Sequence, residues 1–126
     1  MENKNYKGFR DLFVYQKSYK LAIDISHLVK SFPVEEKYVL VDQMRRASRS
    51  IPANIAEAWA SRRYPKSFVS KLVIAHGEEL EMEVWLDMSL DLDYINEETH
   101  KNLSNKYIEI SKMLQSMETQ PEKFCY

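Results

Sequence analysis

From Leu12 to Phe32 the apolar positions return at helical steps. Val14, Leu21, Ile25, Leu28 and Phe32 form one row, and Leu12, Tyr15, Tyr19, Ala22 and Val29 form a second row beside it. Helix one is predicted to begin after Asp11, a good capping residue, and to end before Pro33. A face this wide has two readings: one broad contact with the core, or one row for the bundle and the other for a second subunit. Pro33 suits a helix start, and Glu35 and Glu36 match the positive end of the dipole. Helix two is predicted to run on to about Ala60, with the stripe Leu40, Met44, Ala47, Ile51, Ile55 and Ala58. A polar row, Gln43, Arg46, Ser50, Asn54 and Glu57, follows the same steps beside it. Pro65 can open helix three, which extends to about Asp91 with Gly77 in its middle. Glycine there costs about 1 kcal/mol relative to alanine, which points to close packing against another backbone. Asn96 caps helix four, with Glu97 and Glu98 in the first turn and Leu103, Tyr107, Ile110, Leu114 and Met117 as its seam. Residues 1–10 and 119–126 are predicted to be irregular or frayed. The expected architecture is all-α: a single domain over 1–126, folded as an antiparallel up-down-up-down four-helix bundle.

Pro52 interrupts the pattern of helix two. It has no N–H of its own and crowds the carbonyl of Ser48, so a helix bend is predicted there. The freed carbonyl needs a donor, and Ser50, Asn54 and the arginines of the same helix are the candidates. The polar row then reads as a hydrogen-bonded seam against a neighbouring helix or subunit.

Composition supports helices over sheets. Only 2 glycines and 4 prolines serve 126 residues, too few for a protein built on hairpins. The one cysteine, Cys125, excludes a disulfide framework and a cysteine metal site, and with no apolar run of membrane length or signal-peptide pattern a cytoplasmic protein is expected. A net charge of -1 excludes a protein that is basic throughout.

The distribution of charge says more than its sum. Glu79, Glu83, Asp87 and Asp91 follow one another at four-residue steps on helix three, where like charges repel. An antiparallel hairpin about Arg63 brings Arg45, Arg46 and Arg49 level with Glu78, Glu79, Glu81 and Glu83, so the two clusters are expected to pair within or between subunits. One end of the bundle gathers Lys4, Lys7, Arg10, Arg62, Arg63, Lys66 and Lys123 against Glu2, Asp11, Glu118 and Glu122, an excess of +3. The other end has Lys30 and Lys37 against six acids, Glu35, Glu36, Asp91, Asp93, Glu97 and Glu98, an excess of -4. Tyr6, Phe9, Trp59, Tyr64 and Phe68 interleave with the basic groups, the mix that holds single-stranded nucleic acid by charge and stacking. The bland reading of that end is a capped core with solvated lysines. A ring would multiply its modest charge about an axis.

No catalytic constellation is legible. His27, His76 and His100 fall on three helices without metal spacing, and the phosphate-loop, zinc-protease and serine-hydrolase motifs are missing. Glu97 and His100 have the bare spacing of a di-iron pair but no second pair beside them. No catalytic residue, metal or cofactor is expected.

Three stretches, FRDLFVYQKSYKLA, FPVEEKYVLVDQMRRASRSIPANIAEA and FVSKLVIAHGEELEMEV, resemble the bacterial family of proteins encoded in 23S ribosomal RNA intervening sequences, over roughly residues 8 to 118. The core motif falls on Gln43, Arg46, Ser50, Ile51, Pro52, Asn54, Ile55, Ala56 and Glu57, with Ala58 where the family has glycine and Tyr15 where it has tryptophan. The resemblance implies a cytoplasmic bundle that assembles as a homopentamer. It also implies kinship with the accessory proteins of diversity-generating retroelements, which bind nucleic acid and a reverse transcriptase. The expected function is a non-enzymatic oligomer that contacts RNA or DNA through Arg62, Arg63, Lys66, Lys7 and Arg10. The alternative is an adaptor or structural ring with an unidentified protein partner. No membrane partner is expected.

Overall fold

The computed structural model describes residues 6–126; Glu2 and Lys4, counted above at the basic end, lie outside them. Four α-helices carry the fold: α1 Phe13–Leu28, α2 Leu40–Ala60, α3 Pro65–Asp91 and α4 Glu97–Thr119. Short 3-10 turns at Phe9–Asp11, Val29–Ser31, Val34–Glu36 and Pro121–Lys123 complete the regular structure, with no strand among the described residues. Neighbours in sequence are neighbours in space. α2 packs most extensively on α3, α3 on α4 and α1 on α2, while α1 and α4 meet along a thinner seam. α1 and α3 therefore stand on the diagonal of an antiparallel four-helix bundle.

The predicted stripes form the core. Every stripe residue of α2 and every seam residue of α4 is buried. Each fully buried Leu or Ile contributes about 1.5–3 kcal/mol relative to exposure. α1 divides its apolar positions. Leu12, Val14, Leu21, Ala22, Ile25 and Val29 go inward, Tyr15 is half-buried and Tyr19 faces outward.

The helix starts differ from the sequence reading in two places. Leu12, not Asp11, occupies the cap position of α1, with no side-chain cap. Asp11 instead accepts the backbone N–H of Lys7 at 2.7 Å and closes the entry turn, so it is spent one element earlier. α2 starts at Leu40 rather than Pro33, because Val34–Glu36 winds as a 3-10 turn and Val39 breaks the winding at φ -122°, ψ -96°. Glu36 accepts the Tyr94 hydroxyl at 2.7 Å, tethering that turn to the α3–α4 link, and Asp42 takes the acidic position in the first turn of α2.

The α3–α4 link is closed by backbone bonds. Asp93 adopts the left-handed conformation, φ 62°, which a short polar side chain tolerates. The N–H groups of Asp93 and Tyr94 then reach the carbonyls of Leu90 and Ser89 at 3.0 and 2.8 Å, a Schellman closure of α3. The Asn96 side chain accepts the Thr99 N–H at 2.8 Å as the cap of α4. Replacing Asn96 with alanine is expected to lower stability by about 1 kcal/mol, measured as a shift in urea midpoint.

Candidate nucleic-acid and assembly surfaces

At the basic end the sequence brings three chain segments together through aromatic rings. Tyr6 meets Trp59 edge-on, with centroids 6.0 Å apart, and stacks on Phe124 at 6.1 Å. Phe124 also stacks on buried Phe68 at 5.9 Å. Segment 121–126, which reads as a fraying end, is thus folded back by a 3-10 turn whose Phe124 has rings to stack on. Arg62 lies flat on Trp59, its guanidinium carbon 3.5 Å from the ring centroid and its Nε donating to the Trp59 carbonyl at 2.8 Å. The guanidinium also lies over the Tyr126 ring, 4.9 Å from its centroid.

These contacts sort the candidate residues. Phe9, Trp59 and Phe68 are engaged inside the chain, as is Tyr6. Arg10 lies over its neighbour Phe9 at 4.5 Å. Arg63, Lys66 and Lys7 are exposed, and the rings left open for stacking are Tyr64 at 65% and Tyr126 at 79% exposure. Tyr126 was not singled out from the sequence because a terminal residue shows no periodicity. The neighbouring Cys125 thiol is pushed up by burial, with Arg62 opposing.

The polar row of α2 faces α3. Gln43, Arg46 and Ser50 line a groove of about 480 Å³ with Glu78 and Glu81 across it. Glu57 bridges to Lys71 of α3 at 3.1 Å. α2 runs through buried Pro52 as one α-helix. Asn54 donates to the Ser50 carbonyl at 2.8 Å and to its hydroxyl at 2.9 Å, so this amide serves Ser50 rather than Ser48.

The expected pairing of arginines with α3 acids is not made within the chain. Arg46 sits level with Glu78 and Glu81, yet its ion pair is with Asp42 at 3.8 Å. Arg49 turns to α1 and donates to the Ser26 hydroxyl at 3.5 Å, and the buried Nε of Arg45 has no partner. Glu79 is unavailable because it points into the core and is fully buried. Neither of its oxygens is within hydrogen-bond geometry of a partner. Burial, reinforced by the nearby Glu83, pushes its carboxyl up to about 9, so it is neutral at pH 7. That neutrality, with Asp87 held by His100 at 2.8 Å, relieves the repulsion along the acidic row. Burial likewise raises Glu78. The Tyr107 hydroxyl, buried and unpartnered, is pushed far up by burial and then by Glu79.

One arrangement was not legible beforehand. His76 Nδ1 lies 2.7 Å from Glu118 and Nε2 lies 2.8 Å from the Ser111 hydroxyl, joining α3 to α4. With the proton on Nδ1, the imidazole donates to the carboxylate and accepts from the serine. The order of groups is that of a nucleophile, base and orienting acid. Ser111, however, lies inside α4, where backbone N–H groups serve the helix and none is free to hold an oxyanion. The contact reads as a polar bolt between two helices.

The outward side of α3 is apolar. Val73, Leu80, Val84 and Met88 are about half exposed and form one line, with Gly77 in the gap between Val73 and Leu80. A Cβ built on Gly77 meets no atom within 4 Å, so no neighbour in the chain accounts for the glycine.

Helices, diagonal faces and one basic pole define the class: an antiparallel four-helix bundle with unpartnered surfaces. No helix among the described residues is long and apolar enough to cross a membrane. The 23S rRNA-intervening sequence protein family matches residues 10–116, and the chain belongs to that family. It is similar to a crystal structure of a protein of unknown function from the S23 ribosomal protein family of Bacteroides thetaiotaomicron. The two share 36% identity and a TM-score of 0.77, over 84% of this chain and 95% of that one. No curated protein matches the chain.

Proposed function

We propose that the protein is a non-enzymatic homo-oligomer, five-fold as the resemblance implies, that holds RNA or DNA at its basic pole. The supporting observation is the division of labour there. Arg62 is stacked on Trp59, while Arg63, Lys66 and Tyr64 stand open around it and Tyr126, against the same guanidinium, is 79% exposed. Fixed and free cations beside open rings suit backbone attraction and base stacking on a single strand. Lys7 and Arg10 extend the surface. The exposed line on α3 supports assembly, since monomers seldom leave a continuous apolar face to water.

Fluorescence anisotropy with a labelled single-stranded oligonucleotide tests this. Three phosphate contacts per subunit give a salt slope near -2, so affinity should fall about 20-fold from 50 to 200 mM salt. Arg63→Glu with Lys66→Glu should abolish binding at 50 mM salt. No binding by the natural chain at that salt overturns the reading. The second reading, a protein adaptor or structural ring, is supported by the engagement of Phe9, Trp59, Phe68 and Phe124 inside the chain, which removes them from stacking.

A further inference from the structure

The bundle carries a second apolar outward face. On α1, Phe13, Tyr19 and Ile23 are 55%, 52% and 44% exposed, with Lys20 among them. Because α1 and α3 are diagonal, this face and the Val73–Met88 line look out from opposite sides of the molecule. Their charges also oppose. α1 carries two lysines against one acid, whereas α3 carries two lysines against five charged acids, its sixth, Glu79, being buried and neutral.

Those features decide between two modes of self-association. Pairing two α3 lines about a two-fold axis would bring two acid-rich helices side by side, where like charges repel. Pairing α3 with α1 of another copy sets an acid-rich helix against Lys20 and apolar side chains against apolar side chains. Gly77 completes the fit. Its missing side chain leaves a notch in the α3 line, open to solvent, into which a large α1 side chain can enter. Within a single chain nothing else explains a glycine at that position.

We propose that the outward face of α1 in one copy docks on the Gly77-notched face of α3 in the next, a head-to-tail contact between copies of this chain. The inference rests on the homo-oligomer proposed above and assigns its interface. Every copy presents one face of each kind on opposite sides, so the contact propagates and closes into a ring when the rotation per copy permits.

Size-exclusion chromatography with light scattering, beside far-UV circular dichroism, tests the assignment. The α1 variant is Tyr19→Glu with Ile23→Glu, and the α3 variant is Leu80→Glu with Val84→Glu, so the two altered faces repel each other; all four residues are surface-exposed. Each variant alone should be helical and monomeric, because it has lost one half of every contact. Mixed in equal amounts they should give a 1:1 heterodimer and nothing larger, since each pair retains one intact contact. Gly77→Leu adds no charge, its Cβ meets no atom of the chain within 4 Å, and it should also give a folded monomer. If the natural chain assembles but the α1 variant assembles equally well, or the mixture yields no heterodimer, the interface is elsewhere and only this assignment fails. A natural chain that stays monomeric up to the highest concentration at which it is soluble overturns the homo-oligomer reading with it.

Discussion

Stability against urea is expected to fall as pH rises from about 4.5 to about 9. The group responsible is Glu79. Below the lower limit its carboxyl is protonated in the folded and the unfolded chain alike. Between the limits the folded chain keeps the proton and the unfolded chain releases it, so each rise in pH favours unfolding. The full slope is about 1.4 kcal/mol per pH unit, which makes the change across the window several kcal/mol. Most proteins gain stability over the lower part of this range, because their carboxylates are better held ionised. Replacing Glu79 with glutamine keeps the shape and removes the proton, so most of the slope should disappear, leaving the part that the raised Glu78 carries. A natural chain whose urea midpoint is flat across the window, or a Glu79→Gln chain with the same slope, contradicts the assignment of Glu79 as a buried neutral acid.

Phe68→Ala should lower stability by about 3–5 kcal/mol, the range for truncating a buried aromatic. Phe68 is 1% exposed and lies in the first turn of α3. Its loss also removes the ring on which Phe124 stacks at 5.9 Å. The half-buried thiol of Cys125 should then react faster with a thiol reagent under native conditions. A chain whose thiol reactivity and unfolding midpoint are unchanged would show that the C-terminal turn is held by something other than this stack.

How legible these features were depends on how many partners each one needs. The buried lines of α2 and α4 follow from spacing alone, since one helix decides them. The Asn96 cap is equally local. Asp11 looked like a cap by the same rule, but the Lys7 N–H competed for its carboxylate and won. Glu79 carried a signal that its chemistry masked. Residues 68, 72, 75, 79, 82, 86 and 89 are one helical line, and all of them are buried. Spacing places Glu79 inside, whereas its charge suggests a pair with the arginines of α2. The link between His76, Ser111 and Glu118 had no signal of that kind, because it depends on the register of α3 against α4. The folding-back of the tail likewise depends on Tyr6 and Phe68 arriving from two other segments. At the basic pole, the sequence listed the cations and rings without showing which pairs satisfy each other. The stacking of Arg62 on Trp59 emerged only once the helices were in place.

The thin seam between α1 and α4 has a consequence for motion. α1 is held firmly on one flank only, by α2, while α2 and α3 each have broad partners on two flanks. Partial opening will therefore start at this edge, with the first helix peeling from the last while the central hairpin stays closed. Such an excursion would expose the inner surface of α1 for exchange with another molecule, which makes this edge the natural place for a swapped helix to enter.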